Sequence, residues 1–285
     1  MSRNLVELSS IAAVEALRHD SVIVLPTGAI EHHGPHLPLS TDFLVAEESA
    51  KAAVDLAAEA GVNAWLLPGL AYTKSDEHHW APGTVWLSWE TLMQTIVEIG
   101  ESIAQTPCTR LVFYNGHGGN VALLQVACRE LRRRFGLQTF LIGGGMPANG
   151  GAKSGENEFG LGIHGGHVET SVVLHLRPEL VDMSRAVRSV PEHLLDYQYV
   201  GFGKPVSFGW VSNDFSPGGV IGDPTEATAE FGKAHFEANV AQAAAALAEI
   251  AVFSPAPTNA RIGFSPAPVV ESPPAPPKRI GFSAV

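Results

Sequence analysis

A chain of 285 residues with 45 % hydrophobic and only 16 % charged side chains can bury a large core, which excludes global disorder. A net charge of −11, from 18 basic and 29 acidic residues, excludes a general nucleic-acid or anionic-membrane surface. The two cysteines, Cys108 and Cys128, are too few for a disulfide framework and lack the spacing of a thiolate metal knuckle. The first residues lack a basic-then-apolar leader, and no apolar run approaches the ~18 residues of a membrane span, so a reducing cytoplasm is the expected location.

In chain order, residues 8–18 carry the pattern of an amphipathic helix with Ser9 or Ser10 near its start. The β-branched run at 22–25 reads as a buried strand. A proline-stiffened loop follows, then an alanine-rich helix over 43–60 that Gly61 ends. A strand at 63–67 stops at Pro68-Gly69, and 73–84 is a polar loop. Leu92, Ile96, Ile99 and Ile103 mark one face of a helix over 89–105. Strand 110–114, helix 121–135 and strand 138–142 complete the regular part. Alternation of this kind predicts an α/β fold, layered α/β/α around a mainly parallel sheet.

The character then changes. Ten glycines between Gly143 and Gly166 make that stretch a functional or mobile loop rather than an element. A helix follows through His175 and stops at Pro178, residues 184–222 show no clean period, and Asp223-Pro-Thr225 opens a last helix reaching 251. Eight of the 20 prolines lie beyond Phe253, so residues 254–285 read as a flexible, polyproline-like tail behind a domain of residues 1–253. The tail repeats Arg261-Ile-Gly-Phe-Ser265 as Arg279-Ile-Gly-Phe-Ser283. Two apolar copies on one leash read as docking peptides, whose tethering raises avidity. In design they are similar to the loading peptides on cargo enzymes of encapsulin shells.

Chemistry concentrates in four segments. Between Leu25 and Asp42 the chain sets Glu31, His33, His36 and Asp42 on a loop stiffened by Pro26, Pro35 and Pro38, leaving a strand and entering a helix. Residues two apart in extended chain point the same way, so Glu31 and His33 project together while His32 faces elsewhere. Carboxylate with imidazole is a donor mixture that zinc, manganese or iron accepts. Asn115-Gly-His117-Gly-Gly-Asn120 leaves a strand at the same sheet edge, where glycine permits close approach. Ser75, Glu77, His78 and Trp80 belong to a polar loop. Glu169 falls in the first turn of its helix, with His164 just outside.

Together these motifs resemble the creatininase family of metal-dependent amidohydrolases over residues 22–251. They are Gly28-Ala-Ile-Glu31-His-His33-Gly34 with Pro35-His-Leu-Pro-Leu-Ser-Thr-Asp42, Pro82-Gly83-Thr84, Asn115-Gly-His117-Gly-Gly-Asn120, His164-Gly-Gly-His-Val-Glu169-Thr-Ser171 and Gly222-Asp-Pro-Thr225. The resemblance implies a layered α/β fold, a homohexamer and a two-metal site. It makes Glu31, His33, Asp42 and His117 metal ligands with Asp42 bridging, Glu169 the remaining carboxylate, and His164 the proton-transfer histidine. Creatininase itself has a glutamate two residues beyond the metal-binding histidine, where this chain has Gly119. The carboxylate count is therefore expected to be completed by Glu169.

The reaction expected of such a site is amide hydrolysis. Two divalent ions ~3.5–4 Å apart acidify water and polarise the carbonyl, and an imidazole such as His164 protonates the leaving nitrogen. His36 is expected to orient a ligand carboxylate. Ser75, Glu77, His78, Trp80, Gly118 and Gly119 are expected on the substrate side, with the glycine-rich loop covering it. The substrate is then a small amide, cyclic like creatinine or a formamide. The alternatives are a peptide-trimming enzyme of the mycofactocin-peptidase type and a metal-bound cargo or scaffold protein acting through its tail. A phosphoesterase suits the same ligands but finds no basic cluster beside them to hold phosphate.

Overall fold

The computed structural model describes residues 2–143 and 156–255. Six consecutive buried residues at Val22–Thr27 form β1, the strand that organises the sheet. With β2 (Ala64–Leu66), β3 (Arg110–Asn115) and β4 (Gln138–Gly143) it makes a four-stranded parallel sheet in the order β2-β1-β3-β4. Both faces are covered, so β1 and β3 are apolar nearly throughout rather than alternating. Pro26 is tolerated in β1 because β2 has already ended at Leu66 on the side where a ladder N–H would point. Its carbonyl accepts from the Leu70 N–H on that side instead.

Parity along the strands sorts the core into two layers. Ile23, Leu25, Leu111 and Phe113 pack against Leu92 and Ile96 of α3 (Trp89–Ile103) and Leu124 and Leu131 of α4 (Val121–Phe135), in one continuous cluster. Val22, Val24, Val112 and Tyr114 pack against Ala50, Ala53 and Val54 of α2 (Thr41–Glu59) and Ala243 and Leu247 of α6 (Ala229–Val252). The expected α/β/α layering is what the chain adopts. α1 (Ser10–Ala16) is shorter than its apolar pattern because Ser9 caps it, accepting from the Ala12 N–H at 3.3 Å. Buried Arg110 at the start of β3 donates from Nε to the Ile250 carbonyl at 3.0 Å and from Nη1 to that of His19 at 2.8 Å, fastening the end of α6 to the sheet.

The expected start of the last helix is corrected. Asp223 closes a local turn, accepting from the Thr225 N–H at 3.1 Å and hydroxyl at 2.5 Å. α6 begins at Ala229 behind Thr228, whose Oγ1 accepts from the Phe231 N–H at 3.1 Å. Residues 184–222 fold as short turns tied by isolated bridges, Ser189 to Gly222 within the segment and Ile221 to His164 outside it. α5 (His167–Leu176) follows that bridge. Most of the loop expected to cover the site, and nearly all of the proline-rich tail with its repeat, lie outside the described residues.

Candidate metal centre

β1 and β3 end at the same rim of the sheet, and the turns beyond them face one another. The turn after β3 is pinned by its asparagines. Asn115 accepts from Thr27 Oγ1 at 3.1 Å and donates to the His117 carbonyl at 2.6 Å, and Asn120 donates to the Gly28 carbonyl at 3.1 Å. Gly116 is required here: a Cβ on it would lie 2.6 Å from the Asp42 carbonyl oxygen, so only glycine lets this strap rest on the first turn of α2.

Five side chains expected to meet do converge. Asp42 Oδ1 lies 3.0 Å from His33 Nε2, while Oδ2 lies 2.9 Å from His117 Nδ1, so the two carboxylate oxygens address different imidazoles. Oδ2 is buried and not aligned for a hydrogen bond, as suits an oxygen shaped for a cation. Glu31 spans the same gap, with Oε2 3.3 Å from His117 Nδ1 and Oε1 3.7 Å from His33 Nε2. Glu169 stands on the His33 side at 4.0 Å, its Oε2 accepting from the Gly165 N–H at 2.6 Å. Glu31, Asp42 and His117 offer donor atoms all within 4.8 Å of one another, and so do His33, His164 and Glu169. A third such set joins Glu31, His78 and His164. The residues present therefore fit a pair of cations.

The remaining candidate residues surround this cluster. Ser75 donates to Glu31 Oε2 at 2.5 Å, His78 Nε2 lies 3.4 Å from Glu31 Oε1, and Glu77 Oε1 lies 3.2 Å from His117 Nε2. Three of the four side chains placed by sequence on the substrate side thus face the cluster itself. Trp80 lies further out, donating to Ser212 Oγ at 2.8 Å and meeting the His32 ring edge-on. Gly118 borders open space, whereas Gly119 abuts Glu77. His36 contacts no ligand carboxylate: its Nε2 pairs with Thr170 Oγ1 at 3.0 Å. The cause is its place beyond the Gly34 turn, which aims the ring at α5.

His164 lies between the rings of His33 and His78, centroids 4.2 and 4.1 Å away. Its Nε2 is 2.6 Å from the His32 carbonyl oxygen, an acceptor only, which fixes the proton on Nε2 and turns the Nδ1 lone pair toward Glu31 Oε1 at 3.6 Å. Burial, with His33 and His78 adding to it, holds this imidazole well below its usual pKa, so it is neutral. The other two rings go the opposite way. Burial opposes charge on His33, but Asp42, Glu31 and Glu169 outweigh it and raise the pKa to about 10. His117 is likewise raised against burial by Glu31 and Asp42. Burial pushes Asp42 up, yet His33 and His117 bring it below the ordinary carboxylate range. Glu169 is pushed up to about 7 by burial, with the Asp42 charge adding to it.

Sequence reasoning missed Glu158. This buried carboxylate accepts from the N–H groups of His167 at 2.9 Å and Asp223 at 2.7 Å, joining the start of α5 to the 222–223 turn. Gly162, Gly166 and Gly222 surround it where a Cβ would strike its oxygens. The only trace in the sequence is the glycine spacing. Also missed was a cavity of about 190 Å³ beside Asp42, His164 and Glu169, walled by His235, Phe236 and Asn239 of α6.

Comparison with known proteins places this geometry. The sequence profile of the creatininase family, described as creatinine amidohydrolase, matches residues 7–247. A mycofactocin precursor peptide peptidase of Mycobacterium ulcerans (strain Agy99) is 38 % identical over 224 residues, 75 % of this chain and 79 % of the relative. A creatinine amidohydrolase of Pseudomonas putida is 34 % identical over 189 residues, 60 % of this chain and 70 % of the relative. Among solved structures, the Mn form of creatininase superposes with a TM-score of 0.66 at 29 % identity, covering 87 % of this chain and 98 % of the other. The chain belongs to the creatininase family and is a metal-dependent amidohydrolase.

Proposed function

We propose that this protein hydrolyses the C–N amide bond of a small molecule, a cyclic amide such as creatinine or a formamide, at a centre of two divalent cations. The observation that carries the reading is Asp42, whose two oxygens face His33 and His117 separately, as a carboxylate shared by two cations must. His33 and Glu169 would hold one cation, His117 and Glu31 the other, and zinc, manganese or iron each suits three carboxylates with two imidazoles. When bound, such cations acidify a water and polarise the amide carbonyl. Ser75 orients Glu31 through its hydroxyl. His164, neutral with its tautomer set by the His32 carbonyl, relays the proton that the leaving nitrogen requires, at Nδ1. A cavity of about 190 Å³ opens beside Asp42, His164 and Glu169.

Peptide trimming is the second reading. It is favoured by the greater identity and coverage shared with the mycobacterial peptidase than with the creatinine amidohydrolase. In either reading residues 1–253 would be the catalytic domain of a cytoplasmic homohexamer, whose interfaces would cover Tyr197, Tyr199, Val200 and Val206, all exposed here. Residues 254–285 would be its docking tail, the duplicated Arg-Ile-Gly-Phe-Ser motif binding a shell protein of the encapsulin type.

The test is a substrate panel on the purified chain supplied with manganese or zinc. It comprises creatinine, formamides, lactams and short peptides, assayed with wild type and His164→Ala. We expect metal-dependent turnover of at least one small amide. In His164→Ala, turnover should fall by about 10²–10⁴-fold with metal content unchanged. Cleavage of peptides alone would select the second reading, and loss of metal in His164→Ala would make His164 a ligand.

A further inference from the structure

Glu77 stands behind His117. The two nitrogens of that ring face different chemistry. Nδ1 looks into the cluster, 2.9 Å from Asp42 Oδ2 and 3.3 Å from Glu31 Oε2. Nε2 looks out, 2.8 Å from the Lys74 carbonyl oxygen and 3.2 Å from Glu77 Oε1. Both outer partners are acceptors, so Nε2 carries a proton, and Nδ1 is the nitrogen left to ligate a cation.

The position of Glu77 is built into the fold. Its carboxylate is nearly buried, 11 % exposed, and its Oε2 is held at 3.0 Å by Lys74 Nζ, which Asp76 secures at 2.6 Å. Gly119 makes the room. A Cβ there would fall 1.8 Å from Glu77 Oε1 and 2.5 Å from His117 Nε2, contacts no side chain can make. Gly119 is also where creatininase itself carries a glutamate. In this chain a carboxylate reaches the same neighbourhood from the 75–80 loop, on the outer side of the histidine. Sequence reasoning expected Glu169 to complete the carboxylate count; Glu169 lies on the His33 side of the cluster, and Glu77 on the outer side of His117.

We propose that Glu77 is a positioning residue for the metal centre: with Gly119 vacated for it, its carboxylate accepts from His117 Nε2 and makes Nδ1 a stronger cation donor. The inference rests on the two-cation reading above. Outer carboxylates on ligating histidines typically change metal affinity by about 10–100-fold when removed. The Lys74 carbonyl keeps the tautomer when Glu77 is gone, so what is lost is the charge.

The experiment is zinc affinity of the full chain by chelator competition, for wild type, Glu77→Gln and Gly119→Ala, with ¹⁵N-histidine NMR of the zinc-loaded proteins. Glu77→Gln fills the same space without charge. We expect it to fold as wild type by thermal melting, to lose about 10–100-fold in zinc affinity and to shift the His117 Nε2–H resonance. Gly119→Ala should lose affinity as well, by displacing Glu77. Wild-type zinc affinity and an unmoved resonance in Glu77→Gln would overturn the assignment. So would wild-type affinity in Gly119→Ala, even if Glu77→Gln failed to fold. A wild-type chain that takes up no zinc would refute the two-cation reading itself, whereas wild-type uptake with an indifferent Glu77→Gln would refute only the role of Glu77.

Discussion

At the scale of residues, protons occupy in the metal-free chain the places that cations would take. His33 and His117 are held charged by the carboxylates around them, and Asp42 is held ionised by those imidazoles. Because His33 is raised from 6.5 to about 10, its stabilisation of the metal-free fold is complete below 6.5 and is lost as pH rises through about 10. Asp42 has the opposite sign: its contribution is present above the ordinary aspartate range and is lost in acid. The cations must displace the His33 and His117 protons and, below about 7, the Glu169 proton as well. Zinc affinity should therefore rise with pH from 6 to 9, by about tenfold per pH unit for each proton displaced. Calorimetry in buffers of different ionisation heat counts those protons; an affinity flat over this range would contradict the coupling. Glu31, His33 and Asp42 were legible as candidate donors because a short stiff loop keeps them close in sequence. The inward aim of Ser75, Glu77 and His78 was not, since a loop without period carries no statement of which way its side chains turn.

At the scale of elements, the strand-to-helix alternation was plain because β1 and β3 are apolar runs bounded by turn residues, and α3 and α4 show helical spacing. The start of α6 was misread because Asp223 and Thr228 are both good caps, and only the turn that Asp223 closes decides between them. Residues 184–222 were opaque for a related reason: they are held by backbone bridges and aromatic contacts such as Phe202 with Trp210, not by a repeating face. Arg110 shows how one polar group secures a whole element. Replacing it by Met removes the guanidinium from the Ile250 and His19 carbonyls at the edge of the core, the latter keeping only Thr109 Oγ1 at 3.0 Å. Arg110→Met should cost about 1–3 kcal/mol in urea unfolding of the metal-free chain, with metal uptake by the folded protein unchanged. A loss below about 0.5 kcal/mol would mean that water replaces the guanidinium freely.

At the scale of the whole molecule, a parallel sheet brings the ends of β1 and β3 to one rim, and α2 and α5 add Asp42 and Glu169 from either side. This convergence of distant segments is what topology supplies and local sequence does not, and Glu158, itself outside the motifs, belongs to it by joining α5 to the 222–223 turn. The central claim is that the rim holds two cations with Asp42 between them. The most direct measurement is the metal content of protein purified without chelators, by mass spectrometry of the digested chain, for wild type and Asp42→Ala. The account predicts two divalent transition-metal ions per chain in wild type and near-complete loss of both in Asp42→Ala. A wild-type chain carrying none, or an Asp42→Ala chain still carrying two, would contradict it.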